Sequence, residues 1–301
     1  MAAALALAAR FVIRDFAEVG VNTALVALTW LAIYLWRERR DLSAGLSLGL
    51  AIALKCTPAI FVGYFLWKRQ WRVAFFAATA AALFTLAPIL VQGPASWWNH
   101  MTAWSTGALT VVTNDDPSMG VLGPERPQNL SLRPALARYL IHLPAGHPGR
   151  VTHPFYIDVL NLPPSVANWI IKTILLMMLG MFLWWSRRPV VTRDEPRLLW
   201  EFAAVSILML LFSPITWGQH CVALLPACYF ISALFISRGQ LPRPAIGLLG
   251  FYVLVVLLLN RGFLGKDASL LLGSYHAETF AFLGLLALLF LAARRVQPQP
   301  V

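Results

Sequence analysis

Residues 43–66 read SAGLSLGLAIALKCTPAIFVGYFL. The run is long enough to cross a hydrocarbon core of about 30 Å, which takes roughly 20 residues of helix. Lys55 and Pro58 interrupt it near the middle, and RERR (37–40) and KRQWR (68–72) flank it. Proline removes a backbone donor and clashes with the preceding turn. Helices broken at membrane depth persist where protein or a water-filled cavity surrounds the break. Cytoplasmic loops retain Lys and Arg, and both flanks carry that mark. The expectation is two half-helices that enter and leave on the cytoplasmic side. The competing reading is a kinked spanning helix with RERRD outside, where Glu38 and Asp41 dilute its charge.

The rest of the chain fits the same environment. Of its 301 residues 59% are hydrophobic and 12% charged, with a mean hydropathy of +0.68; soluble domains average about 45–50% and about 25%. Apolar blocks run at about 20–36, 43–66, 72–91, 166–185, 198–212, 221–237, 244–263 and 270–293. This is the pattern of an all-α polytopic membrane protein with one membrane domain over 1–301. The net charge of +11 comes from short clusters between blocks: the two above, Arg187–Arg188 with Arg193 and Arg197, Arg238 with Arg243, and Arg294–Arg295. That arrangement signals topology and not a nucleic-acid partner. With these clusters cytoplasmic, segment 92–165, corner 213–220 and NRGFLGKDAS (260–269) face outward. Cys56, Cys221 and Cys228 lie in or beside apolar segments without CxxC spacing, so neither a disulfide framework nor a metal site is read. MAAALALAARFVIRDF (1–16) is too short to span and lacks the basic start of a signal peptide.

Segment 92–165 far exceeds the usual 2–8-residue helix connection. Trp97, Trp98, Trp104, Phe155, Tyr156 and Trp169 lie near its ends, as in interfacial aromatic belts. Its middle, TNDDPSMGVLGPERPQNLSLRPALARYL (113–140), is punctuated by Pro and Gly as far as Pro127. Leu130, Leu132, Leu136 and Leu140 then predict a short amphipathic helix carrying Arg133 and Arg138, suited to the outer interface beside lipid head groups.

Several polar residues are out of place on lipid-facing helices. Lys55 is the sharpest, since an ionisable group inside a membrane segment is a functional candidate; the alternative is snorkelling to an interface. In SPITWGQHCVALLP (213–226), Trp217, Gln219 and His220 interrupt two apolar runs. An interfacial belt with a helix cap would also explain them. Asn129, Arg133 and Arg138 form the third group, with helix-start and head-group contacts as the plain alternative. His100, His142, His147 and His153 read as solvated loop histidines.

Together these stretches resemble a known family. AGLSLGLAIALKCTPAIFVGYFLWKRQWRVA (44–74) is similar to the glycine-rich helix, Lys-x-x-Pro break and basic exit of the polyprenyl-phosphate-mannose-dependent glycosyltransferases. These are GT-C-type enzymes that include bacterial α-1,2-mannosyltransferases. QNLSLRPALAR (128–138) resembles their Asn-Gln-Ser-Leu…Arg element, with Leu130 in place of Gln. The corner at 213–226 resembles their Ser-Pro-x-x-Trp-x-His-His element, with Gln219 at the first His. VGVN (19–22) keeps only Asn22 of their Gly-Gln-x-Asn.

The resemblance implies a GT-C-type helical bundle with a broken or re-entrant helix and a long outward loop, multi-pass in the cytoplasmic membrane. The activity implied is transfer of a hexose, mannose by analogy, from a polyprenyl phosphosugar to a lipid or glycan acceptor on the outer face. No cofactor or metal is implied. Lys55, Asn129, Arg133, Arg138, Trp217, Gln219 and His220 become the substrate-binding candidates, with Lys and Arg suited to a phosphate leaving group. The acceptor hydroxyl needs a base, a carboxylate or histidine. The family's catalytic aspartate lies in a first outward loop that precedes these stretches, so about the first quarter of a full-length member is expected to be absent. Asp15 sits beside the wrong helix for that role, and the catalytic residue is left unassigned, with His220, Asp115 and Asp116 as candidates. Two other classes remain: a transporter, which also places charge and broken helices at the membrane midplane, and a catalytically inactive fragment or scaffold of the same family.

Overall fold

The computed structural model describes residues 1–152, 159–238 and 242–296, and helices follow the apolar runs. In chain order they are α1 (Ala2–Ala17), α2 (Asn22–Arg37), α3 (Asp41–Leu54), α4 (Ala59–Trp67), α5 (Trp71–Leu86), α6 (Ile89–Gln92), α7 (Pro94–Thr113), α8 (Leu132–Leu140), α9 (Pro148–Thr152), α10 (Pro164–Trp185) and α11 (Pro196–Phe212). A 3₁₀ helix (Gly218–Leu224) leads into α12 (Leu225–Arg238). After it come α13 (Arg243–Val253), a π turn (Leu254–Leu258), α14 (Arg261–Ser274) and α15 (Ala277–Val296). A two-stranded hairpin pairs Met119–Gly120 with Gly123–Pro124. Trp71–Gln92, Pro164–Trp185 and Gly218–Ser237 are long and apolar enough to cross a bilayer. Two bent pairs, α1 with α2 at 120° and the 243–258 helix with α14 at 100°, bring the number of possible spans to five among the described residues. The protein is an all-α, multi-pass membrane protein. His153, Phe155, Tyr156 and the 297–301 tail lie outside the described residues.

Residues 43–66 do not cross the bundle. A Cβ on Gly45 would lie 2.3 Å from Phe76 Cβ, and one on Gly49 would lie 2.5 Å from Ala80 Cβ. Two glycines one turn apart thus meet two residues one turn apart in the same chain direction, so α3 and α5 run parallel. Small residues at such a spacing let membrane helices approach backbone to backbone. A parallel α3 and α5 require the intervening α4 to bring the chain back. At about 1.5 Å per residue, α3 climbs roughly 21 Å before it stops at Lys55. The break falls there because Pro58 caps α4 (φ −64°), where its missing N–H costs nothing.

The base of this hairpin is held by charge. Lys68 Nζ lies 2.6 Å from Glu201 Oε2, with side chains only 2% and 4% exposed. Tyr64 Oη donates to the same oxygen (2.6 Å), and Arg197 reaches Glu201 Oε1 at 3.0 Å. Lys68 also donates to the carbonyls of Ser186 and Arg188. Asp41 binds Arg193 (2.6 Å), and Trp36 Nε1 donates to Gln70 Oε1 (3.2 Å). Residues 36–41, 68–72 and 186–201 therefore meet at one end of the bundle. Arg39 and Arg69 close their helices there with φ of 61° and 56°, the left-handed stop more often given to glycine.

The long polar segment differs from its expectation as a loop. Residues 94–113 form the 20-residue α7. The predicted amphipathic helix exists as α8, but it is buried: Leu132, Arg133, Pro134, Ala135, Ala137 and Arg138 are all covered. It packs inside the protein and not on lipid head groups. The stretch 260–269, expected only to face outward, is helical from Arg261: Asn260 caps α14, which kinks at Gly265 (φ 76°).

Two outcomes check this architecture. Single cysteines replacing Glu38 and Gln70 in a cysteine-free background should label from the same side of the membrane; labelling from opposite sides would refute the hairpin. Lys68→Met should destabilise the protein by about 3–5 kcal/mol in equilibrium unfolding, because it strands a buried carboxylate. Adding Glu201→Gln should recover much of that loss.

Candidate functional site

The tip of the hairpin carries Lys55 in extended conformation (φ −158°, ψ 125°) at the end of α3. Its ammonium donates to Asn22 Oδ1 at 3.0 Å. The amide of Asn22 is oriented by Asp15, whose Oδ1 accepts from Asn22 Nδ2 at 2.7 Å. Asp15 Oδ2 accepts from the backbone and hydroxyl of Thr23, at 2.8 and 2.7 Å. The carboxylate, only 1% exposed, thus satisfies the first N–H groups of α2, where helix ends favour negative charge. A Cβ on Gly20 would sit 1.9 Å from Asp15 Oδ1, so only glycine fits that turn. The sequence reading passed over Asp15 as a site residue; its spacing before Asn22 gave no helix-capping pattern to recognise.

Opposite Lys55 stands the corner 213–220. Lys55 and His220 line one cavity with Asn22, Thr57, Ser206 and Thr216, backed by apolar walls from Leu25, Trp30, Phe61, Met209 and Leu210. Its open space is small, about 30 Å³, enough for one or two waters. His220 Nδ1 accepts from the Trp217 backbone N–H at 3.1 Å, which leaves the hydrogen of the neutral ring on Nε2. With its lone pair occupied, the ring is set as a hydrogen-bond donor and not as a base.

The other candidates are distributed differently. Asn129 spends its amide on protein: Nδ2 donates to Pro214 O and Glu125 Oε2 (both 3.0 Å), and Oδ1 accepts from Thr216 N (2.9 Å). It clamps the 113–131 segment to the corner. Arg133 donates to Met119 O (2.8 Å) and Asp116 O (3.1 Å), and lies 3.6 Å from Glu125 Oε1. Arg138 donates to Ser274 O at 2.6 Å and lies 5.2 Å from the Tyr275 ring centroid. Neither arginine lines the Lys55 cavity. Asp116 Oδ1 accepts from the backbone and hydroxyl of Ser118 (2.8 and 2.7 Å), and Asp115 lies 3.5 Å from Asn168 Nδ2. Of the three catalytic candidates, only His220 lines that cavity. Gln219 lines neither this cavity nor the next, and its Oε1 is buried with no hydrogen-bond partner among the described residues.

Trp217 faces a second cavity of about 260 Å³, with Arg14, Glu125, Arg126, Gln128 and Asn129. Burial pushes the Glu125 carboxyl above its ordinary value of 4.5, despite the Asn129 hydrogen bond and Arg133.

The sequence matches the profile of glycosyltransferase family 87 over residues 1–214. The chain belongs to glycosyltransferase family 87. Among curated proteins, it is 29% identical over 238 residues to the polyprenol-phosphate-mannose-dependent alpha-(1-2)-phosphatidylinositol mannoside mannosyltransferase of Mycobacterium tuberculosis, covering 78% of this chain and 47% of that protein. It is 27% identical over 200 residues to the Mycolicibacterium smegmatis protein of the same name, covering 64% and 38%. The chain spans less than half the length of these relatives. No solved structure matches it.

The raised Glu125 value fixes the sign of a pH effect. A carboxyl with a higher folded than unfolded pKa stays protonated longer in the fold. Its contribution is therefore full below about 4.5 and is lost as pH rises through the folded value. Thermal denaturation of Glu125→Gln should show that this part of the loss has disappeared, while wild type retains it.

Proposed function

We propose that this chain works as a membrane mannosyltransferase of family 87, taking mannose from a polyprenyl phosphomannose and passing it to a glycan or glycolipid hydroxyl on the outer face. The observation that carries this reading is the meeting of Lys55 and His220 in one cavity. The hairpin brings the first and the 213–220 corner brings the second. Apolar walls suit the isoprenoid part of a donor, and an ammonium with an N–H donor suits its phosphate. The phosphodiester of the donor gains negative charge as the sugar leaves, and an ammonium and an N–H donor fixed beside it favour the transition state over the ground state. The relatives named for polyprenol-phosphate-mannose support the same donor class. The arginines at the basic end support a cytoplasmic side for that end, and with it an outward orientation of this cavity and of segment 92–165. The walls part on donor entry, since 30 Å³ admits water but no sugar phosphate. In this reading Arg133, Arg138 and Asn129 support the site by fixing the segment that covers it.

Lys55→Met keeps most of the side chain and deletes the charge. In nanodiscs with radiolabelled polyprenyl-phosphate-mannose, donor binding should weaken by about 1.5–3 kcal/mol, roughly tenfold or more. Undiminished binding removes Lys55 from the site. Absence of transfer by the wild-type chain to any lipid or glycan acceptor counts against the enzymatic reading.

A further inference from the structure

The basic end of the bundle carries more positive charge than its own fold uses. Arg39, Arg40, Arg69, Arg187 and Arg188 are exposed there and make no ion pair among the described residues. Arg72 is 81% exposed and reaches Asp41 only at 3.8 Å. The acids of the same stretches are mostly engaged: Asp41 with Arg193, Glu195 with Arg197, and Glu201 with Lys68 and Arg197. Glu38 and Asp194 are the exposed ones.

Two of these arginines stand where another residue fits better. Arg39 and Arg69 have φ of 61° and 56°, and their turns are built alike. Arg39 N–H bonds to Trp36 O and Arg40 N–H to Leu35 O; Arg69 N–H bonds to Leu66 O and Gln70 N–H to Phe65 O. A side chain in this left-handed conformation crowds the following carbonyl, and glycine avoids the clash. The helix dipole favours a cation near each of these ends, but Arg37 and Lys68 already supply one without strain. The two turns are also neighbours, since Trp36 Nε1 donates to Gln70 Oε1 at 3.2 Å. Lys68 donates to the carbonyls of Ser186 and Arg188 and brings that arginine pair alongside.

We propose that this end of the bundle binds the phosphates of anionic phospholipid headgroups, held by Arg39 and Arg69 with Arg40, Arg72, Arg187 and Arg188 around them. A guanidinium fork matches a pair of phosphate oxygens. The bilayer is the source of that phosphate because exposed tryptophans accompany the arginines. Trp67, Trp71 and Trp184 are 43%, 62% and 69% exposed, and Arg187 lies 4.0 Å over the Trp184 ring. Tryptophans at the ends of membrane helices sit at headgroup level, and arginine clusters beside them attract anionic lipid. An acidic protein segment would meet the same charge but would leave the tryptophans without a role. The surface lies at the opposite end of the hairpin from Lys55, and its assignment does not depend on the transferase reading.

The full chain in a neutral detergent is titrated with phosphatidylglycerol, phosphatidylcholine, inorganic phosphate and polyglutamate, with binding read by native mass spectrometry. Phosphatidylglycerol should bind more tightly than phosphatidylcholine and should resist displacement by inorganic phosphate. Arg39→Gly combined with Arg69→Gly should weaken phosphatidylglycerol roughly thirtyfold, at about fivefold per arginine near an anionic surface. The same double variant should melt no lower than wild type in lipid-free detergent, because glycine relieves both left-handed turns. Arg40→Gln combined with Arg188→Gln changes exposed side chains outside those turns. It should also weaken phosphatidylglycerol, and it carries the test if the glycine variant does not fold. Four results would overturn the proposal. Equal binding of the two lipids removes the charge selectivity, and undiminished phosphatidylglycerol binding in both double variants removes the arginines. Displacement by inorganic phosphate means an adventitious ion only, and tighter binding of polyglutamate than of phosphatidylglycerol means a surface for an acidic protein.

Discussion

The contact of Gly45 and Gly49 with α5 governs the position of everything at the tip of the hairpin. Those two glycines let α3 lie against Phe76, Ala77 and Ala80 closely enough that any Cβ would collide. Parallel packing at that distance fixes the height of α3 along α5, and so the height at which Lys55 emerges. The buried Lys68–Glu201 pair fixes the returning strand of the hairpin at its base. A charge pair of this kind adds little net stability over an apolar substitute, but half of it is costly to lose. Its contribution is registration: the base is pinned, the spine is pinned, and the tip follows.

A lysine presented at that depth must be satisfied or it will not stay. Asn22 provides the first acceptor, and Asp15 fixes the amide so that its oxygen and not its nitrogen faces Lys55. The same carboxylate caps α2. One buried acid therefore links the start of a helix to the orientation of an ammonium. The opposing imidazole, His220, has its Nδ1 held by the Trp217 N–H, so the cavity is walled by donors on two sides. Lys55 is held by a side-chain amide and His220 by a backbone N–H.

How far the sequence reveals this depends on the kind of signal. The hairpin was legible, because basic flanks on both sides and a proline in the middle each have a physical cause that survives in the fold. Lys55 and His220 were legible as anomalies among apolar neighbours. Asn129, Arg133 and Arg138 were visible as polar residues in a motif, but a motif does not say whether a guanidinium faces solvent, a ligand or a backbone carbonyl. Here Arg133 and Arg138 bond to carbonyls from distant segments, and no local pattern encodes that. Lys68 and Glu201 were hidden for a similar reason. Lys68 sat inside a basic cluster that signals topology, and its partner is 133 positions away, contributed by α11. Helix α7 was missed because polar and aromatic residues interleave along it without a clean apolar face.

Residues 215–217 separate the Lys55 cavity from the cavity of about 260 Å³ beside Trp217, which gives a structural reason for the corner being polar. An ordinary helix turn would need only to reverse the chain. This one has its backbone bound by Asn129 on one side and by His220 on the other, while its side chains alternate between two spaces. Extended backbone presents successive side chains to opposite faces, so three residues suffice to give each cavity its own wall. A group held against Thr216 and one held against Trp217 would be separated by a single thickness of chain near its edge.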